Sequence, residues 1–265
     1  VVLHAIGGST NALIHFTAIA ARLGIKLDLE HFDRLGRDIP VLVDLKPSGS
    51  HYMEHLYEDG GLMGILRELK PHLYLDCLTV SGRTLGEEID AAKVTKARKV
   101  IRIASDPIYP VGGLAVLKGN LAPRGAVIKH SAASPNLLKH RGRAVVFKSL
   151  EDLALRVDSP DLDVTADDIL VLQNAGPKGA PGMPEAGYLP IPKKLAQAGV
   201  KDMVRISDAR MSGTAFGTIV LHVAPESAEN GPLAIVQDGD MITLDVEKRL
   251  LQLELDDTEI QRRIA

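Results

Sequence analysis

The sequence contains no tryptophan and only four phenylalanines and five tyrosines in 265 residues. A hydrophobic core must therefore be built from Leu, Ile, Val and Ala. The 45% hydrophobic content suffices for one large domain or two smaller ones. A single cysteine, Cys77, excludes an internal disulfide framework and fits a reducing cytoplasm. It reads as a small buried core residue. No apolar stretch approaches the length of a membrane span and no signal peptide is visible, so no membrane association is expected. A net charge of −3 without a basic cluster offers no electrostatic case for nucleic acid. A soluble, cytoplasmic globular chain is the expectation these absences leave.

Both ends read as cut. Val1-Val-Leu-His opens on apolar sequence without Met, and Arg262-Arg-Ile-Ala265 follows closely on the start of a charged helix. Ser9 or Thr10 is a natural N-cap for a helix through Leu23, with Ala12, Leu13, Phe16, Ile19, Ala20 and Leu23 on its apolar side and Gly24 at its end. The turn Gly7-Gly-Ser-Thr10 either presents backbone N–H groups to an anion in front of this helix or simply caps it. Short helices are expected over 29–35, 53–57, 62–69 and 84–92, with a strand at 41–43. Residues 93–102 read as a solvated basic segment or linker.

Near Ser105-Asp-Pro107 the texture changes. Short apolar runs at 114–117, 126–129, 144–147, 169–172, 204–206 and 218–223 follow, separated by Gly and Pro turns, and read as strands. Helical patterns lie between some of them, at Leu150–Val157 capped by Ser149 and at Pro192–Ala198. In the tail, Ile242, Leu244 and Val246 answer Leu251, Leu253 and Leu255 across Glu247-Lys248, a hairpin with one buried face. The fold class is therefore α/β, with a mainly helical region at 1–104 and a β-rich, barrel-like region at 105–265.

The chemistry-bearing stretch is Ile206 to Thr218. It lies between two β-branched runs, so it is a loop on a rigid base, and it carries Ser207, Asp208, Arg210, Ser212 and Thr214 within eight positions. On the residues alone, a polar turn whose hydroxyls bond its own backbone is the simpler account. Glu185 closes a Gly- and Pro-rich loop, and alone reads as a surface residue. Lys129 and His130 end the run Ala126–Ile128, where side chains can face a pocket. His130 is equally well a structural histidine. His4, His15, His51, His55 and His222 show no metal-ligand spacing.

The order of residues adds a further reading. Ser207-Asp-Ala-Arg-Met-Ser-Gly-Thr214 resembles the serine loop of the dihydroxy-acid and phosphogluconate dehydratase family. Gly7-Gly-Ser-Thr-Asn-Ala12, Asp44-Leu-Lys-Pro-Ser-Gly49, Leu78-Thr-Val-Ser-Gly-Arg-Thr-Leu85 and Gly179-Ala-Pro-Gly-Met-Pro-Glu185 resemble further motifs of that family, in its order. Ala209-Arg-Met-Ser-Gly-Thr214 with Ile128-Lys-His-Ser-Ala-Ala133 is most similar to the branch that dehydrates sugar acids such as arabinonate and xylonate.

The resemblance implies that 1–104 is the end of the family's amino-terminal α/β domain and 105–265 its β-barrel-like swivelling β/β/α domain. The implied reaction removes water from a 2,3-dihydroxy acid, an aldonic sugar acid first of all, to give a 2-keto-3-deoxy acid. Dihydroxy-acid dehydration in branched-chain amino-acid synthesis is the alternative. The resemblance makes Ser212 the base and Glu185 a Mg²⁺ ligand. It adds an iron–sulfur cluster whose cysteines lie upstream of Val1, because a cluster needs several thiolates and this chain has one. A fragment of this kind is expected to be inactive by itself. Thr214, Lys129, His130, Ser9 and Thr10 are candidates for holding the substrate. A homo-oligomer, at least a dimer, is implied for the full-length protein. The rival from another class is a non-catalytic small-anion-binding or interaction domain with its site at Gly7–Asn11.

Overall fold

The computed structural model describes residues 1–94, 99–180, 189–211 and 216–264. The chain forms two compact units, one of Val1–Ser9 with Glu30–Leu114 and one of Thr10–Leu29 with Ala115–Ala265. Its first six helices are α1 (Val2–Ala5), α2 (Asn11–Arg22), α3 (Leu29–Asp38), α4 (Met53–Glu58), α5 (Gly61–Glu68) and α6 (Leu85–Ala91). The strands are β1 (Ala115–Leu117), β2 (Gly125–Ile128), β3 (Lys139–Phe147), β4 (Ile169–Leu172), β5 (Arg205–Ser207), β6 (Ile219–Ala224), β7 (Met241–Asp245) and β8 (Leu250–Leu253). Among the described residues the second unit also holds α7 (Leu150–Arg156), α8 (Lys193–Gln197) and α9 (Asp257–Ile264).

The first unit is helical, as its periodicity predicts. Thr84 caps α6 in a reciprocal box with Glu87, which satisfies two backbone donors at the helix start. Its core is Ala5, Ile39, Leu42, Val43, Leu56, Ile65, Leu69, Val100 and Ile101. The 41–43 segment makes only isolated bridges, Val41 to Tyr109 and Val43 to Ile101. Two expectations are corrected here. Val100 and Ile101 are buried rather than solvated, because the Asp59 carboxylate accepts their N–H groups at 2.8 and 2.7 Å and draws the segment inward. Cys77 is exposed rather than buried. It lies in a turn-rich stretch beside Tyr74, Leu78 and Val80, all of which face solvent.

In the second unit the eight strands form one mixed sheet in the order β1-β2-β6-β5-β4-β3-β7-β8. Strands β3, β4, β5 and β6 run parallel, and the pairs β1–β2, β2–β6, β3–β7 and β7–β8 are antiparallel. A parallel bridge from Lys118 to Leu250 links the two outer strands, so the sheet nearly closes into a barrel. Period-two alternation divides the parallel strands between two cores. Ala144, Val146, Ile169, Val171, Val204 and Ile206 point into the barrel cluster. Val145, Phe147, Leu170, Leu172 and Met203 point outward, where Leu153 of α7 and Leu195 of α8 cover them. Both faces being covered explains why these strands read as continuous apolar runs.

The tail hairpin has the expected register, with Ile242 opposite Leu253 and Leu244 opposite Leu251. Strand β3 is longer than its apolar run because Lys139–Arg143 pairs with β7. Closure of the barrel depends on Gly119, where a Cβ would collide with the Leu251 carbonyl. Gly119→Ala is therefore expected to lower stability by about 1–3 kcal/mol, as overpacking does, with urea unfolding as the measurement.

Helix α2 departs from expectation in one respect. It starts after Thr10 and ends at Arg22, with Gly24 in the left-handed conformation just beyond. Leu13 is buried, whereas Phe16, Ile19 and Leu23 are 47%, 61% and 74% exposed. The helix is fastened by its amino-terminal end, Asn11 and Leu13 being its buried residues.

Candidate active site

The parallel strands β4 and β5 deliver the two loops that carry the sequence candidates. In α/β sheets, ligand sites form from loops that leave the carboxyl ends of such strands. The chain after β4 is described over residues 173–180 and again from Leu189, and the chain after β5 over residues 208–211 and again from Phe216. Glu185 falls in the first, and Ser212 and Thr214 in the second. All three lie outside the described residues.

The flanks of both loops are well defined, and they are tied to each other. At the carboxyl end of β5, the buried Asp208 carboxylate accepts the N–H of Ala175 at 3.0 Å through Oδ1 and that of Ser227 at 2.8 Å through Oδ2. Glu226 accepts the N–H groups of Lys178 and Gly179 at 3.0 and 3.2 Å through Oε2. Thus one carboxylate sits at the start of each loop or directly against it. Carboxylates that accept backbone N–H groups offset the cost of their own burial, so both act as fixed pins.

At the amino end of β5 stands Arg205, whose residue is 3% exposed. Its guanidinium donates to the Leu189 carbonyl at 3.1 Å through Nη1 and to the Phe216 carbonyl at 2.8 Å through Nη2. Those carbonyls close the two loops just beyond residues 181–188 and 212–215. Arg205 also pairs with buried Asp202 at 3.4 Å. Asp202 in turn accepts the N–H of Thr218 at 2.8 Å, its hydroxyl at 2.7 Å, and the N–H of Ser134 at 3.0 Å. Donated hydrogen bonds hold the Asp202 carboxyl below the usual carboxylate range against the opposing effect of burial. Gly217 has φ of +112°, and a Cβ there would collide with the Arg205 guanidinium and the Asp202 carboxylate. Glycine is what lets the chain pass this close to the pair.

Lys129 and His130 lie beside the far end of the serine loop. β2 runs antiparallel to β6, so Ile128 pairs with Val220 at the start of that strand. The Gly217 N–H donates to the Ala132 carbonyl at 3.0 Å, which fastens the turn at His130–Ala132 to the returning loop. Lys129 is partly buried, and burial holds its ammonium below the ordinary lysine range. Thr10 is buried and occupies the N-cap of α2 without a side-chain capping bond. The Gly7 and Gly8 N–H groups are not presented to a ligand, because they donate to the His4 and Leu3 carbonyls at 3.1 and 2.9 Å. The anion site expected at that turn loses those two donors, which close α1 instead.

Arg205, Asp202 and Glu226, which anchor the ends of the two loops, escaped the sequence reading. A charged residue opening an apolar strand, as Arg205 does, was the available signal. Among the described residues, no three or more His, Cys, Asp or Glu side chains are grouped to hold a metal ion. No helix among the described residues is long and apolar enough to cross a membrane.

Residues 99–265 match the dihydroxy-acid/6-phosphogluconate dehydratase C-terminal family, and residues 1–88 match the corresponding N-terminal family. This chain belongs to the dihydroxy-acid/6-phosphogluconate dehydratase family. It is 53% identical over 264 residues to an L-arabonate dehydratase of Azospirillum brasilense, covering 98% of this chain and 45% of that protein. It is 49% identical over 267 residues to a 6-deoxy-6-sulfo-D-gluconate dehydratase of Pseudomonas putida, covering 100% and 46%. A dihydroxy-acid dehydratase of Dehalococcoides mccartyi is 45% identical over 262 residues, covering 98% and 46%. The chain thus spans about half the length of these dehydratase relatives, and Asp208, Arg205 and the two tied loops all fall within the C-terminal family match.

Proposed function

We propose that the full-length protein is a hydro-lyase that dehydrates an aldonic sugar acid to a 2-keto-3-deoxy acid. The observation that carries this reading is the shared anchoring of the loops bearing Ser212 and Glu185, by Asp208 at one end of β5 and by Arg205 at the other. The relatives named for sugar acids, at 53% and 49% identity against 45% for the dihydroxy-acid enzyme, favour a polyhydroxy substrate.

Ser212 is proposed as the base that takes the C2 proton. The C3–O bond then breaks and its oxygen leaves as water with one proton, and the resulting enol tautomerises to the ketone. The sum is loss of one water with no change of oxidation state. The C2 proton is weakly acidic and an ordinary hydroxyl is a weak base, so the serine must react as an alkoxide stabilised by its surroundings. Thr214 and Lys129 are proposed to hold substrate oxygens, with His130, Ser9 and Thr10 as further contacts.

Mg²⁺ and an iron–sulfur cluster belong to the same proposal. For the cluster, the residues of this chain do not fit. Its one cysteine is exposed in a turn, and a cluster needs several thiolates. For Mg²⁺, Glu185 is proposed as one ligand, while the described residues offer no complete donor set. No step is drawn through either group. A cytoplasmic location and at least a dimer complete the proposal.

The test is product formation by the full-length protein. Incubated with five- and six-carbon aldonic acids, it is expected to release a 2-keto acid detectable as its semicarbazone. Turnover of branched dihydroxy acids alone, or of neither class, would refute the sugar-acid reading.

A further inference from the structure

Met211 is the last described residue before Ser212, and it is held from two sides. Its side chain is buried and packs with Ile219 and Leu221 of β6. Its carbonyl accepts Nδ2 of Asn11 at 3.0 Å, a bond between residues 200 positions apart. The other anchors of this stretch act further back. Asp208 is pinned through both carboxylate oxygens, and the Ala209 carbonyl accepts the N–H of His222 at 3.2 Å. Among the described residues, Asn11 takes hold of the chain nearest to the proposed base.

Helix rules do not account for an asparagine here. Asn is favoured at the N-cap, where its side chain accepts a backbone N–H, and is a poor residue inside a helix. Asn11 is instead the first residue of α2, behind Thr10, and no side-chain capping bond forms at this end. Asn11 is buried, and a carbonyl can only accept, so the Met211 carbonyl requires the NH₂ of its amide. The same turn of α2 lies close along the base of the serine loop. Leu13 is buried, and Ile14 lines a cleft of about 260 Å³ together with Asp208 and His222. Residues 1–88 match the N-terminal family, yet this turn lies in the compact unit of the barrel.

Resting on the dehydratase reading above, with Ser212 as its base, we propose that Asn11 is a positioning residue for that base. It acts through the peptide group that joins Met211 to Ser212. A peptide group is planar, so its carbonyl and its N–H turn together. A hydrogen bond that fixes the Met211 carbonyl therefore fixes the direction in which the chain enters residue 212. Proton transfer needs the base within about 2.6–3.2 Å of the atom that carries the proton. A displacement of about 1 Å costs on the order of 10²-fold in rate. In this assignment Asn11 touches neither the substrate nor the reacting atoms, and its whole effect passes through the backbone.

The experiment is steady-state kinetics of the full-length protein on an aldonic acid. Asn11→Asp keeps the size of the side chain and turns its donor into an acceptor facing the Met211 carbonyl. An acidic residue also suits the first turn of a helix, so α2 should survive the change. The variant is expected to lower kcat by about 10- to 100-fold and to leave KM within about twofold. Asn11→Gln retains a donor and should recover part of the loss. Asn11→Ala, which removes the donor without repulsion, serves if the aspartate variant does not fold. A Ser212→Ala background separates positioning from a general structural role. With the base gone, Asn11→Asp should cost no further activity, since residues that act as a unit are not additive. A kcat loss below about tenfold, a matching rise in KM, or the same factor lost again in the Ser212→Ala background would overturn the assignment. Full turnover by Ser212→Ala would remove the base and this inference with it. An active Asn11→Asp beside an inactive Ser212→Ala would overturn the inference alone.

Discussion

On the proposed reaction, alanine at position 212 is expected to reduce kcat of the full-length protein by about 10²- to 10⁴-fold, towards the upper end because no substitute base is proposed nearby. KM should change little. The argument rests on what holds the loop. Its flanks are fixed by groups other than the serine hydroxyl: the Met211 carbonyl by Asn11, the Phe216 carbonyl by Arg205, and Thr218 by Asp202. Removing one oxygen from Ser212 leaves all three in place, so the substrate meets the same frame. An interaction needed only when the proton moves appears in kcat and not in binding. Steady-state kinetics on protein with matched metal and iron content is the measurement. Retention of more than about a tenth of kcat would be too small a loss for a missing general base and would exclude Ser212 from that role.

Arg205→Ala is expected to have the largest effect on stability. One buried guanidinium closes both loops through the Leu189 and Phe216 carbonyls and neutralises Asp202, whose side chain is 4% exposed. Its loss leaves the buried Leu189 carbonyl and the part-buried Phe216 carbonyl short of a donor, and a buried carboxylate without its cation. Breaking a buried pair from one side typically costs about 3–5 kcal/mol. Thr218 and Ser134 still donate to Asp202, which favours the lower half of that range. Urea unfolding followed by far-UV circular dichroism measures it, and a change below about 1 kcal/mol would show that the pair is dispensable. Activity should fall as well, since the far ends of both loops would lose their common anchor. Arg205→Lys keeps a charge for Asp202 but lacks the fork that spans two carbonyls, so it should recover stability more than activity.

Local pattern carried much of this protein. The runs at 169–172 and 219–224 are strands because β-branched residues buried on both faces have few other solutions, and turn residues bound them. The tail hairpin's register was legible because a one-residue slip would turn Ile242, Leu244, Leu251 and Leu253 out of the core. Ser149 and Thr84 marked helix starts for the same local reason, an oxygen placed to accept a backbone N–H three residues on. The order of motifs placed the chain in its family without reference to any contact. Tertiary structure decided what lies between these elements. Sequence distance conceals that Asp208 reaches Ala175, that Arg205 holds Leu189 and Phe216, and that Asp59 draws Val100 and Ile101 inside. His222 sits in a bulge that shows only in the pairing of β6 with β2. Periodicity reports which face of an element is apolar. Which charged group the folded backbone requires at a given carbonyl depends on the crossing of segments far apart in the sequence, and that is settled only when the sheet closes.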